Sequence, residues 1–239
     1  LDGAGKSTLL ETAREWIAEH GWSVFDSAAW CKERGSHPSL RDAKDAKVLI
    51  TAEPTHAGIG AEIRQEIIRE GAAYSATMAA EAFALDRGVQ YTRLILPFLN
   101  AQPGRLVIQD RGVLSSLAYQ PLQSARQGRP NEVTLESLIS YTGNRIALNH
   151  PPDYFIFLDI DPHIALARIA GRKEKIDHHV FDVADFQIAL AERFRDPTVT
   201  APLIERDTKI LVMNGNKSKA EVAQDMRRIL DQAVKSIER

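Results

Sequence analysis

The chain opens with Leu1-Asp2-Gly3-Ala4-Gly5-Lys6-Ser7-Thr8, which lies inside a phosphate-binding loop. The pattern G-x-x-x-x-G-K-[ST] is met from its second position onward, and its first glycine would fall one residue before Leu1. Gly3 and Gly5 let backbone N–H groups converge on phosphate oxygens with no Cβ in the way. Lys6 can reach the β- and γ-phosphates, and the Ser7 hydroxyl can ligate Mg²⁺. Directly after the loop, Leu9, Leu10, Ala13, Trp16 and Ile17 keep helical spacing until Gly21 supplies a stop. The positive end of this helix points at the same anion. A loop of this kind joins a buried strand to a helix, so it confines the chain to an α/β fold. It also predicts a strand upstream of Leu1, normally central in the sheet, so that the chain reads as a fragment of a longer working enzyme. The plain alternative is a glycine-rich turn that holds nothing.

The rest of the pattern alternates. Trp22–Phe25, Val48–Thr51, Arg105–Gln109, Tyr154–Asp159 and Lys209–Met213 read as strands. Helices are predicted over Gly60–Glu70, Ser75–Leu99 with Pro97 near its end, Thr134–Tyr141, Pro162–Ile169, Asp185–Arg195, and from the capping box Ser218–Glu221 onward. Gln123–Asn131, with Gly128 and Pro130, reads as an exposed loop. Ser27–Lys47 reads as an insertion. The alternation predicts one domain over residues 1–239, with a parallel sheet between helical layers on both faces. Ligands of such sheets sit at the carboxyl ends of the strands. Glu53-Pro54-Thr55 and Asp110-Arg111 fall there, which raises them to site candidates beside the opening loop.

Bulk properties narrow the partners. A length of 239 residues suits one substantial α/β domain. The net charge of −2 argues against a general nucleic-acid binder. The lone Cys31 allows no intramolecular disulfide and fits a reducing cytoplasm as an inert thiol. No apolar run approaches the length of a membrane span.

Phosphoryl transfer needs positioned charge more than covalent chemistry. Asp110 ends a buried strand, where a carboxylate can hold Mg²⁺ directly or through water. Arg111 can grip an acceptor phosphate with a bidentate fork. Arg168 and Arg172, at i and i+4, share a helix face, and a basic segment there can close over a transferring phosphoryl group. The structural alternatives are a turn aspartate, a surface ion pair and a solvated basic face.

Taken in order and spacing, these strings resemble thymidylate kinase. They are Asp2–Thr8, Glu53-Pro54-Thr55, Phe83-Ala84-Leu85-Asp86-Arg87, Asp110-Arg111 with Ser115–Gln120, Phe157–Pro162, Arg168–Arg172, Phe181-Asp182 and Phe186-Gln187. The resemblance covers almost the whole chain and implies a three-layer P-loop kinase fold that phosphorylates dTMP to dTDP with ATP and Mg²⁺. It implies that Asp2, Gly3, Ala4, Gly5, Lys6, Ser7 and Thr8 hold ATP, with Ser7 and Asp110 at the metal. It implies that Asp2 also approaches the sugar 3′-hydroxyl, Phe83 stacks on thymine, Arg87 bonds the base edge and Arg111 binds the acceptor phosphate. Tyr119 and Gln187 would line the nucleoside pocket, and Glu53 belongs with the substrate contacts. Lys6, Asp110, Arg111, Arg168 and Arg172 would be catalytic, the last two from a lid over about 168–182. A homodimer is implied, with Ser75–Leu99 at its interface. Ala52 before Glu53-Pro54, Gly112 after Arg111 and Val180 before Phe181 depart from the family pattern. The neighbouring His178-His179 pair lacks a third ligand at metal spacing. Two other readings stand beside this one: a kinase of another nucleoside monophosphate or a deoxynucleoside, and a P-loop regulatory ATPase with no small acceptor.

Overall fold

The computed structural model of the chain describes residues 1, 3–69, 71–171 and 184–237. Asp2, Arg172, Lys173, His178, His179, Val180, Phe181 and Asp182 lie outside the described residues, and with them most of the expected lid. The phosphate loop leads into α1 (Lys6–Glu19), followed by β1 (Val24–Asp26), α2 (Ser27–Arg34) and β2 (Val48–Ala52). A helical stretch, α3 (Ile59–Glu62) with a π turn (Ile63–Ile67), precedes α4 (Ala76–Gln90). A second π turn (Tyr91–Ile95) carries α4 into α5 (Leu96–Ala101). Then come β3 (Leu106–Asp110), α6 (Val113–Arg126), α7 (Leu135–Ser140), α8 (Thr142–Asn149) and β4 (Tyr154–Asp159). The chain continues with α9 (Pro162–Ala170), α10 (Ala184–Arg195), α11 (Pro197–Ile204), β5 (Lys209–Asn214) and α12 (Lys219–Ile237).

Every strand pairing is parallel, as the alternation predicts. The described strands form two groups, β1-β2-β3 and β4-β5, in place of one continuous ladder. Alternation fixes strand direction but not which strands are neighbours, so this division was outside its reach. Val48, Leu49 and Ile50 of β2 are at most 1% exposed, as a run of apolar residues with helices on both faces requires. Aromatic rings link β4 to α10 and, through it, to α6, the helix after β3. Phe157 of β4 stacks on Phe194 at 5.5 Å, and Phe194 meets Tyr119 of α6 edge-on at 6.2 Å. On the far side, α1 packs on α12, with Trp16 Nε1 donating to Asp231 Oδ1 at 2.8 Å.

Several boundaries differ from the sequence reading for local reasons. Pro97 does not end the long helix: the wider π turn before it accommodates a residue that cannot donate to the preceding turn. Gln123 and Ser124 belong to α6 and are buried, so the loop begins only after Arg126. The Ser124 hydroxyl serves the turn itself, donating to the Arg129 carbonyl. The 27–47 segment opens with α2, capped by Asp26 accepting from the Ala29 N–H at 2.9 Å. It is tied to the body through Ser27 Oγ on the Ile50 carbonyl at 3.1 Å and Arg93 Nε on the Pro38 carbonyl at 3.1 Å. Cys31 is buried here, and burial pushes its thiol up, in keeping with an inert group.

One crossing fixes the geometry of the site. At Gly88 and Gly143, α4 and α8 come close enough that a Cβ on Gly143 would stand 1.6 Å from the Ala84 carbonyl oxygen. Gly143→Ala must therefore push the two helices apart. It is expected to cost about 1–3 kcal/mol or more in chemical denaturation. A variant as stable as the parent would contradict this crossing.

Candidate active site

The opening loop has the shape its residues imply. Gly3 (φ 77°) and Gly5 (φ 108°) take left-handed conformations that side chains resist, and Gly5 caps α1 with no side chain covering the helix N-terminus. The first-turn N–H groups of α1 have no partner within the helix, which is how a helix start holds an anion. Lys6 Nζ donates to the Leu1 carbonyl at 2.7 Å, folding the lysine back along the loop. Ser7 is exposed in the first turn.

The loop abuts the carboxyl ends of β4 and β5. A Cβ built on Gly215 would lie 3.2 Å from the Asp159 carbonyl and 3.5 Å from the Ala4 carbonyl. Arg168 is anchored in the same neighbourhood: Nη1 donates to the Gly215 carbonyl at 2.9 Å, and Nη2 reaches the Lys217 carbonyl at 3.5 Å. The described part of the basic helix therefore leans on the turn after β5. Arg195 closes this edge with two donations to Asp159 Oδ1, at 2.5 and 3.0 Å.

The ends of β2 and β3 lie side by side. Ala52 is in register with Asp110, and the Glu53 N–H donates to the Asp110 carbonyl at 3.0 Å. Asp110 has no hydrogen-bonded side-chain partner among the described residues. Arg111 takes a left-handed backbone (φ 66°), a costly conformation for a residue with a side chain and one that clusters at functional sites. Its Nη1 donates to the Tyr119 hydroxyl at 3.0 Å, and its guanidinium lies 5.3 Å from that ring's centre. Tyr119 is 5% exposed and packs on Phe186 of α10 at 6.0 Å, and Gln187 beside it is fully buried. The structure thus brings Arg111 onto Tyr119 of α6, and α6 packs on α10, the helix that carries the buried Gln187.

A buried polar network also engages α6. Arg87, 1% exposed, donates Nε and Nη2 to the Glu53 carboxylate, the shortest contact being 2.5 Å. Nη2 also donates to Ser116 Oγ at 3.0 Å, and Nη1 donates to Asn144 Oδ1. Gln109 Nε2 donates to Glu53 Oε1 at 2.8 Å and to Gln90 Oε1 at 3.2 Å. Burial pushes the Glu53 carboxyl up, and Arg87 and Gln109 work against that shift. Burial also keeps the neighbouring Tyr91 phenol protonated. Asp86 serves the adjacent loop, accepting from the Thr55 N–H at 2.7 Å and the Thr55 hydroxyl at 2.6 Å. Phe83 is half-buried one turn before Arg87, on the same face of α4. Glu53 therefore sits against Arg87, with both carboxylate oxygens engaged.

Sequence reasoning gave no role to three polar residues here, although Gln120 stands within the Ser115–Gln120 string. Gln109 sits inside an apolar strand pattern, and Asn144 sits in a short helix with no flanking motif. Gln120 lies four residues after Ser116 on α6, is 1% exposed, and leaves its Oε1 without a partner among the described residues. A buried amide oxygen with no partner costs free energy unless something else bonds it. The signal available for Gln120 was its helical spacing from Ser116.

Among the described residues no group of three His, Cys, Asp or Glu side chains is placed to hold a metal, and no helix is long and apolar enough to cross a membrane. The Ser7 hydroxyl in the first turn of α1 and the Asp110 carboxylate at the end of β3, which has no hydrogen-bonded partner among the described residues, are hard oxygens of the kind Mg²⁺ takes.

A glycine-lined loop at a helix start, set against the carboxyl ends of parallel strands, defines a P-loop α/β nucleotide-binding protein. Comparison with known proteins takes this further. The family model for thymidylate kinase matches residues 39–226. A Thermococcus onnurineus (strain NA1) protein named "Probable thymidylate kinase" is 30% identical over 95% of this chain and 91% of its own. The "Thymidylate kinase" of Acaryochloris marina (strain MBIC 11017) is 28% identical over 96% of this chain and 92% of its own. The chain belongs to the thymidylate kinase family, a family of P-loop kinases.

Proposed function

We infer that the protein transfers the γ-phosphoryl group of ATP to dTMP, giving dTDP and ADP. The observation that carries this reading is a strained Arg111 at the carboxyl end of β3, bonded to the buried Tyr119 and separate from the phosphate loop that abuts β4 and β5. A switch ATPase needs no such second pocket, which favours a two-substrate enzyme. Family membership supports dTMP as the acceptor over other nucleotides.

The roles divide by position. The loop Gly3–Thr8, with Asp2, cradles the donor phosphates through backbone N–H groups, and Lys6 follows charge onto the γ-phosphoryl. Mg²⁺, when bound by Ser7 and Asp110, neutralises charge on the donor phosphates. Arg111 grips the acceptor phosphate with its fork and holds the acceptor in line. Phe83 offers a face to the base and Arg87 donates to its edge, and Gln120 Oε1, without a partner among the described residues, lies buried on the same helix as Ser116 and Tyr119. Tyr119 and Gln187 close the nucleoside pocket. Glu53 contributes through Arg87, whose guanidinium it holds. Arg168 and Arg172 would act from the lid, Arg168 by leaving the Gly215 carbonyl for the transferring group. We take the chain as one kinase domain over 1–239, with 27–47 as an insertion that braces β2.

Arg111→Ala is expected to weaken dTMP binding by roughly 1.5–3 kcal/mol, the scale of a charge-assisted hydrogen bond, and to leave thymidine binding little changed. Calorimetric titration with both ligands checks this, and equal loss for thymidine would remove Arg111 from the phosphate. Titration of the parent protein with dTMP tests the function itself, because a regulatory ATPase shows no saturable binding.

We also place the protein in the cytoplasm as a homodimer. Met78 and Leu85 of α4 are 53% and 58% exposed and lie two turns apart on one face. Leu85→Glu is expected to shift the species in sedimentation to the 26.6 kDa monomer mass. A parent chain already monomeric, or a dimer that survives the substitution, would defeat this assignment.

A further inference from the structure

Asn144 has no part in the family motifs carried by this sequence, yet it is fully buried against the most enclosed cation of the site. It stands in the first turn of α8, directly after Gly143. A Cβ on Gly88 would meet the Gly143 Cα at 3.2 Å, so the crossing of α4 and α8 is held at backbone contact. Arg87 directly precedes Gly88, and Asn144 directly follows Gly143, so this crossing sets the two side chains against each other.

The asparagine amide is used at both ends. Nδ2 donates to the Leu138 carbonyl at 2.7 Å, which settles the orientation of the amide and turns Oδ1 toward Arg87 Nη1. Glu53 takes Nε–H and one Nη2 hydrogen along one edge of the guanidinium, and Ser116 takes the other Nη2 hydrogen. Asn144 takes one hydrogen of Nη1, on the other edge. Because the guanidinium is planar and its hydrogens are fixed in a fork, holding both edges fixes the direction of the second Nη1 hydrogen. No other side chain on the described network performs that task.

We propose that Asn144 is a positioning residue for base selection, aiming the remaining Nη1–H of Arg87 at a carbonyl oxygen on the acceptor base. This rests on the reading of Arg87 as the donor to the base edge. A donor aimed in this way favours a pyrimidine with a carbonyl at C4, such as thymine, over one with an amino group there, such as cytosine, because an amino hydrogen cannot accept. Asn144 touches no substrate and acts only through Arg87.

The test is a double-mutant cycle on the ratio of dissociation constants for dCMP and dTMP. Asn144→Ala is expected to lower this ratio about tenfold, the scale of one misdirected hydrogen bond, with the KM for ATP unchanged. In an Arg87→Lys background, the same substitution is expected to change the ratio no further. Asn144→Thr, whose hydroxyl stops one bond short of Nη1, is the second variant if the alanine form does not fold, and it is expected to behave alike. A parental ratio in both Asn144 variants overturns the proposal. So does a drop that persists in full beside Arg87→Lys, because Asn144 would then act by another route. If Arg87→Lys alone leaves the ratio at the parental value, the base-edge reading of Arg87 fails and the proposal falls with it.

Discussion

Replacing Arg87 with alanine is expected to lower folding stability by about 3–5 kcal/mol, more than most single substitutions. Both members of the pair are withdrawn from water, Arg87 at 1% and Glu53 at 4% exposure. Removing the guanidinium leaves a buried carboxylate with Gln109 as its one side-chain donor among the described residues, and it takes the Arg87 donor from the Asn144 and Ser116 oxygens as well. Burial already pushes the Glu53 carboxyl up, and Arg87 opposes that shift. Without Arg87, the folded-state value rises further above the unfolded one. The folded variant then binds a proton that its unfolded chain gives up, so its stability falls as pH rises above the ordinary carboxylate range. Denaturation at neutral and mildly acidic pH checks both statements. The variant should regain part of its loss on acidification, relative to the parent. A loss below about 1 kcal/mol, or one independent of pH, would mean the ion pair is a surface-like contact.

Lys6→Ala is the second large effect, and it falls on chemistry. The lysine lies at the base of α1, bent onto the Leu1 carbonyl at 2.7 Å, beside the glycine loop that we propose holds the donor phosphates. Turnover is expected to drop roughly 10²–10³-fold, the scale of losing one preorganised donor to transition-state charge. Stability should change little, because the group is only partly buried. Rapid-quench measurement of the transfer step separates this from a defect in ATP binding. Parental turnover in the variant would remove Lys6 from the γ-phosphoryl.

The features legible in the sequence are those set by local rules. The phosphate loop needs left-handed glycines at fixed places, and Gly3 and Gly5 adopt them. The Ser218 and Glu221 box caps α12 reciprocally, at 3.0 and 3.3 Å. Strand ends were legible because β2 and β3 finish on polar motifs, which brought Glu53 and Asp110 together in advance. What depends on tertiary contact was not legible. The helix α8 is short, and its meaning comes from the glycine crossing with α4, which no periodicity records. Gln109 and Asn144 look unremarkable until a buried guanidinium is placed beside them. The strand end made Glu53 a site candidate and the resemblance set it among the substrate contacts; its engagement by Arg87 and Gln109 inside the protein was not legible. Gln123 and Ser124 read as loop because they are polar, yet their burial in α6 supports the turn that follows.

The central claim is that the protein carries two phosphate sites, one on the glycine loop and one at Arg111, and that the second belongs to dTMP. Steady-state kinetics with ATP, Mg²⁺ and a panel of acceptors tests it most directly: dTMP, dUMP, dCMP, dGMP and thymidine, with the diphosphate product identified. The account predicts the highest kcat/KM for dTMP, with dTDP formed in step with ADP. A higher value for thymidine or for another nucleoside monophosphate, or ATP hydrolysis that no acceptor accelerates, would contradict it.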